Sequence, residues 1–421
     1  MSTMLREGNF GGRKTSYILL LALIFVFFTS CSNIEIFQNG GLVVAVSGSR
    51  SASESTIFTV TIVDAAGSAQ SQIVAPGEIA QFDDLVAGSY SINVEGKESD
   101  ISTMFGSAEV SVVVGEVATA TVSLSTVAHS LETLQLLLTK GGTVYIGSDI
   151  RLDSGLEVIE NEVHLVALKD VVLTNNADAP ILTVQNSKIT LGGGDYTLTL
   201  DGNDKGEYGV SVTDGELILK QNTVIKNCSN SGVYISNASF TMTGGTIREN
   251  AAPSGGGVYL LHGTFVMNDG LISENELSNT ETSYGGGIYI ENGDFTMNGG
   301  SITNNTKGIK RGGAIAVKET ALFTMNAGTI SGNSASSDGG GIYLFGDTNK
   351  DRAICILNGG TITNNNCNSN GGGISTWGIC TVNAGAVITG NTCSRGGDIY
   401  AYLDDAYVNN GGTVGDVVIQ Q

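Results

Sequence analysis

Proline is almost absent from this chain, with 3 residues in 421, and charge is scarce, with Asp, Glu, Lys and Arg together at 14%, against about 25% in an average domain. There are 3 histidines and 1 tryptophan. No apolar run reaches the ~20 residues of a comfortable membrane span. Each shortage excludes something. Few prolines and no three-residue period exclude collagen. An apolar content of 41% excludes compositional disorder. Lys+Arg number 20 against 41 Asp+Glu, for a net charge of −21. A surface of that sign repels phosphate backbones, so no nucleic-acid partner is expected. What is abundant is glycine, at 59 residues, about twice the usual share. Many glycines with few charges imply many short strands joined by tight turns.

The first thirty residues read as an address. Arg13 and Lys14 precede an apolar run from Tyr17 to Phe28, a length that suits the h-region of a secretory signal. The run ends in Phe28-Thr29-Ser30-Cys31. Small residues before a cysteine resemble the lipobox of bacterial lipoproteins. The resemblance implies a signal peptide over 1–30, a diacylglycerol on the Cys31 sulfur and a membrane partner reached through that lipid. It also implies a cell-envelope location, with the outer membrane or cell surface favoured. Acyl chains stabilise anchoring by about 0.8 kcal/mol per buried CH₂, so two or three suffice without a spanning helix.

After a linker over 31–41, residues 42–126 hold short, alternating, β-branched segments separated by turns such as Pro76-Gly77 and Gly115-Glu116. The string from Phe82 to Val94, with Asp84-Leu85, Gly88, Tyr90, Ile92 and Val94, resembles the prealbumin-like or carboxypeptidase-regulatory-like β-sandwich. The module reads as a spacer. A helix follows: Ser130 is placed to N-cap it, Leu131, Leu134, Leu137 and Leu138 form one stripe, and Gly141 closes it. Just before a strand-rich array, such a helix would cover the array's open first rung. The array itself is expected over 127–421.

The repeat is the strongest signal. An apolar position recurs as Val210, Val233, Val258, Ile288, Ile315, Ile342, Ile374 and Ile399, at spacings of 23, 25, 30, 27, 27, 32 and 25. Three short strands per unit with drifting turn lengths describe a β-solenoid, in which insertions fall in turns while rungs stay stacked. One column of the second strand reads Leu217, Phe240, Phe265, Phe295, Phe323, Cys355, Cys380; two residues on, another reads Leu219, Met242, Met267, Met297, Met325, Leu357, Val382. A strand's period of two puts both on one inward face. The third strand supplies Val224, Ile247, Ile272, Ile302, Ile330, Ile362 and Ile388. Three residues later comes Asn227, Asn250, Asn275, Asn305, Asn333, Asn365 and Asn391, expected to stack as an amide ladder.

These units resemble the right-handed parallel β-helix of the pectin-lyase-like superfamily. More narrowly they resemble the polymorphic outer-membrane-protein repeat, through Gly312-Gly313-Ala314-Ile315 (GGAI) and through Phe295–Asn298 and Phe323–Asn326 (FxxN). The resemblance implies an all-β rod of about ten coils and a surface adhesin, with glycans or host and cell-surface proteins as partners. The chain reads as lacking that family's C-terminal barrel, so lipidation is expected to anchor it instead.

The outward columns are poor in chemistry. Enzymes of this superfamily resemble pectate lyases or polygalacturonases, which place carboxylates with Arg or Lys on adjacent rungs. Here the second-strand outward column is Thr241, Val266, Thr296, Thr324, Ile356, Thr381, and Asp404-Asp405 is a lone pair. His129, His164 and His262 make no triad or metal spacing. Catalytic residues, metal ligands and cofactors are therefore not assigned, and a polysaccharide-active lyase or hydrolase stands as the alternative to adhesion or binding. The candidate ligand surface is the outward row Tyr234, Tyr259, Tyr289, Tyr343 and Tyr400, which reads either as a stacking ladder supporting the sheet or as a binding strip. Thr-rich third strands such as Ser301/Thr303 also resemble ice-binding arrays, though Arg248 and Leu271 interrupt them. Cys355 and Cys380 share a core column and read as apolar core residues; Cys367 and Cys393 share a turn position and are the candidate disulfide; Cys228 is left over.

Overall fold

The computed structural model describes residues 39–47, 55–278, 282–318, 320–346 and 352–420. The signal segment 1–30 and Cys31 lie outside the described residues.

Chain order begins with two facing sheets. Asn39–Ser47 lies between antiparallel Ile79–Val86 and parallel Val117–Ser123. The second sheet runs antiparallel through Ala69–Val74, Ile57–Asp64, Gly88–Glu98 and Ile101–Val112. Alternation in these strands sends Leu42 and Val44 from one sheet, and Phe58, Val60, Ile92 and Val94 from the other, into one core with no exposed surface. The Tyr90 hydroxyl donates to the Val86 carbonyl at 2.9 Å and pins the turn between strands. The sandwich starts inside the expected linker, because Asn39 already pairs with Val86.

The two modules share backbone. Ser125–Ala128 pairs antiparallel with the sandwich (Phe105 opposite Ser125) and parallel with the first rung, Gly142–Ile146 (Val127 opposite Tyr145). The boundary expected at 126/127 therefore falls within one strand. Phe105 packs edge-on to Tyr145 at 4.7 Å, and a ring nitrogen of His129 lies 2.6 Å from the Ser102 carbonyl. Between the strands of this joint, Leu131–Lys140 is helical. Ser130 Oγ accepts from Thr133 N at 3.2 Å, and Leu134 and Leu138 are fully buried against the first coils. Asn161 Nδ2 donates to the carbonyls of Leu138 and Thr139 at the other end.

From Gly142 onward the chain winds a right-handed parallel β-helix of about ten coils, each adding one strand to three parallel sheets. The phenylalanine column stacks at 4.4 Å (Phe240–Phe265), 4.6 Å (Phe265–Phe295) and 5.1 Å (Phe295–Phe323), with near-parallel planes and no exposed surface. From Gly255 onward, entry to each coil repeats a left-handed glycine. At Gly312, φ is 69° and a Cβ would come within 2.4 Å of the Ile315 carbonyl, so only glycine fits.

Asn250, Asn275, Asn305, Asn333, Asn365 and Asn391 form a buried ladder, each Nδ2 donating to the next Oδ1 at 2.9–3.2 Å. Asp398 receives the last amide at 2.8 Å. Asn227 is not part of it. Leu219 to Ile225 is one residue longer than the corresponding step in the next coil, so Ile225, not Val224, lies opposite Ile247. The slip puts Cys228 at the ladder position, where its N–H donates to Asn250 Oδ1 at 3.0 Å, and leaves Asn227 left-handed and bonded to Asp201. A second, largely solvent-exposed ladder runs through the last residue of the FxxN units: Asn268, Asn298, Asn326, Asn358, Asn383 and Asn410, at 2.8–3.0 Å.

Candidate functional site

The outward row of the first-strand sheet stays in register. Tyr234 lies opposite Tyr259, Tyr259 opposite Tyr289, then Ala316, Tyr343, Ser375 and Tyr400 follow coil by coil. Two more columns flank it. Five residues upstream, bridges align Tyr284, Arg311, Asp338, Asn370 and Arg395. Two residues downstream, Glu291, Lys318, Phe345, Trp377 and Tyr402 occupy the next outward position. The sequence reading missed both flanks. Its own period-two rule, carried two residues past each tyrosine, would have reached Phe345, Trp377 and Tyr402.

The three columns interlock. Tyr208, Tyr234, Tyr259 and Tyr289 pack ring to ring at 4.9, 5.6 and 5.3 Å. Small Ala316 would break the belt, but Tyr284 and Phe345 meet at 4.8 Å and bridge from Tyr289 to Tyr343. At Ser375, Trp377 stacks on Tyr402 at 4.1 Å, and Tyr402 meets Tyr400 at 4.8 Å. Arg311 covers the Tyr343 ring at 5.4 Å and Arg395 the Tyr400 ring at 5.6 Å. As a result Tyr289, Tyr343 and Tyr400 are only 7%, 6% and 3% exposed. The rings that reach solvent are the half-buried Tyr234, Tyr259, Tyr284, Phe345, Trp377 and Tyr402.

Polar groups tie the belt together. Asp338 accepts from Arg311 Nε (3.1 Å), Ser337 Oγ (2.9 Å), Asn370 Nδ2 (2.9 Å) and Tyr402 OH (3.4 Å). Burial works against the Arg311 charge, but hydrogen bonding to Asp338 outweighs it and raises the guanidinium's pKa. Burial also pushes the Tyr343 and Tyr402 phenols up, Asp338 adding to both. Tyr259 is raised by burial and by donating to Glu291. Glu291 has its pKa held low because Lys318, at 2.7 Å, and Tyr259 outweigh its burial. The raised phenols of Tyr259, Tyr343 and Tyr402 therefore stay protonated beside the Arg311–Asp338 and Lys318–Glu291 ion pairs. Asn370 Oδ1 is buried with no partner among the described residues.

The other candidate residues are scattered. His164 Nε2 lies 2.8 Å from the Gly192 carbonyl, His262 sits in the strand Val258–Ser273, and Asp405 pairs with Arg352 at 2.8 Å. No group of three or more His, Cys, Asp or Glu able to hold a metal occurs among the described residues. Cys367 and Cys393 are disulfide-bonded with Cα atoms 5.0 Å apart, while Cys228, Cys355 and Cys380 are free and buried. A cleft of about 810 Å³ lies between the sandwich and the first coils, beside Glu95, Lys97, Tyr145 and His164. Glu95 and Lys97 are ion-paired there at 3.0 Å.

No curated protein and no solved structure matches this chain. A family model described as the right handed beta helix region matches residues 170–350, the coils that carry much of the aromatic belt. That match agrees with the stacked coils and names an architecture, not a chemistry.

Proposed function

We propose that this is a lipid-anchored cell-envelope protein, held at the outer membrane or cell surface through Cys31, whose β-helix presents the aromatic belt for adhesion to a glycan chain. A cell-surface protein is the second candidate partner. The observation that carries the reading is the combination of the Trp377–Tyr402 stack with the polar column beside it. Aromatic rings stacked at 4.1 Å offer apolar surface to sugar C–H groups, while the exposed Arg395 guanidinium supplies donors next to them. The alternative, a polysaccharide lyase or hydrolase, draws support from Asp338 and Arg311 on adjacent coils. Glycoside hydrolysis needs a second carboxylate across the substrate, and Asp338 is instead enclosed by four donors. The rod scaffold therefore favours binding.

The test has two arms. Residues 32–421, applied to a glycan and matrix-protein array, should give hits that the Trp377→Ala/Tyr402→Ala variant loses by about tenfold or more, about 1.4 kcal/mol. Full binding by the folded variant refutes the site. Separately, Cys31→Ala should abolish labelling with fatty acid and release the protein from membranes; unchanged membrane association refutes the anchor.

A further inference from the structure

The sandwich carries a bare apolar tip. Val86, Val113, Val114 and Val117 are 68%, 51%, 48% and 66% exposed. Val86 ends one strand and the other three lie in the single Val113–Val117 turn, yet they converge on one place, the point where the chain enters the fold. Asn39 lies opposite Val86, and Gly41 lies opposite Val117. The Gly115 N–H donates to the Asn39 carbonyl at 3.1 Å, and the Gly41 N–H to the Glu116 carbonyl at 2.9 Å, so the Val113–Val117 turn is fastened beside Asn39. A monomer seldom leaves several adjacent β-branched residues this bare without a partner.

The tip also faces away from the rod. Strand Ile101–Val112 meets the joint strand at Phe105 and ends beside the tip at Val112. Seven residues at about 3.4 Å each put the two ends about 24 Å apart. The chain that precedes Asn39 carries Cys31 eight residues upstream. Whatever path it takes, eight residues reach at most about 29 Å. An acyl chain on Cys31 therefore enters a bilayer within that distance of Asn39, beside which the four valines lie.

We propose that the valine tip inserts into the headgroup and acyl boundary of the bilayer that receives the Cys31 lipid, giving the protein a second membrane contact that stands the rod away from the surface. This inference rests on the anchor reading. The tip has its own lipid preference. Asp83, Asp84 and Glu116 lie on or beside it and are exposed, with no lysine or arginine among residues 79–96 or 98–139. Zwitterionic headgroups suit it, and anionic ones are repelled.

The experiment uses the full chain, expressed with labelled fatty acid and reconstituted in phosphatidylcholine vesicles, with an environment-sensitive dye on Val114→Cys. The same dye on Ile73→Cys, 74% exposed but in the other half of the sandwich, is the control. The Val114 dye should shift blue and be quenched severalfold more by brominated acyl chains than the Ile73 dye. Exchanging half the lipid for phosphatidylglycerol should weaken the quenching. In parallel, the quadruple variant V86S/V113S/V114S/V117S should keep its fatty-acid label yet extract from vesicles more readily. Labelled, vesicle-bound protein whose Val114 dye stays in water like the Ile73 dye overturns the tip while leaving the anchor intact. Unlabelled protein that stays off vesicles overturns both, and the missing label identifies the anchor as the point of failure.

Discussion

Asn305→Ala separates two ladders built from the same amide chemistry. Asn305 has no exposed surface. Its Oδ1 accepts from Asn275 N at 2.9 Å and from Asn275 Nδ2 at 3.2 Å, and its Nδ2 donates to Asn333 Oδ1 at 2.9 Å. Alanine removes that acceptor and strands two buried donors on the neighbouring coil. Each unsatisfied donor costs about 1–3 kcal/mol, so the loss is about 4 kcal/mol. Asn326 is the control. It makes the same two side-chain bonds, to Asn298 and from Asn358 at 2.8 Å each, but it is exposed, so water replaces what alanine removes. Asn326→Ala should cost less than about 1 kcal/mol. Urea unfolding followed by circular dichroism reads both. With a slope of about 3 kcal/mol per molar, Asn305→Ala lowers the midpoint by about 1 M and Asn326→Ala barely moves it. Equal midpoints for the two variants would refute the claim that burial, rather than the amide ladder itself, supplies the stabilisation.

Phe295→Ala, in the middle of the ring stack, should cost about 3–5 kcal/mol, while the outward neighbour Thr296→Ala costs under about 1 kcal/mol; thermal melts of the pair check the inward and outward assignment. Glu291 is an acid-limb determinant. Its folded pKa lies below the unfolded value, so its contribution is present above about 4.3 and is lost as pH falls through the folded value. Glu291→Gln should flatten stability between pH 5 and about 3 relative to the parent, and an unchanged acid limb counts against the Lys318 and Tyr259 pairing. Thiol titration of denatured residues 32–421, purified from an oxidising compartment, should find Cys228, Cys355 and Cys380 free and Cys367 and Cys393 blocked; all five reacting contradicts the bond.

The sequence by itself determined the solenoid. A residue that points inward must do so again one coil later, so the columns Phe240–Phe323 and Met242–Met325 are visible as a repeat, and their polarity fixes which face is core. The buried asparagine ladder was legible for the same reason, from Asn250 to Asn391. It failed at Asn227 because one extra residue in a turn shifts every later side chain by a position, and turn length has no polarity signature. Only the tertiary structure decided what the outward tyrosines do. Periodicity places Tyr289, Tyr343 and Tyr400 on the outer face, but whether solvent reaches them depends on rings and guanidiniums from other coils and other columns. The join of the two modules was equally hidden, since Ser125–Ala128 belongs to both sheets and pairing partners are chosen by proximity in space. So was the valine tip: Val86 and Val117 are thirty-one residues apart in sequence, and nothing local says that both end beside Asn39.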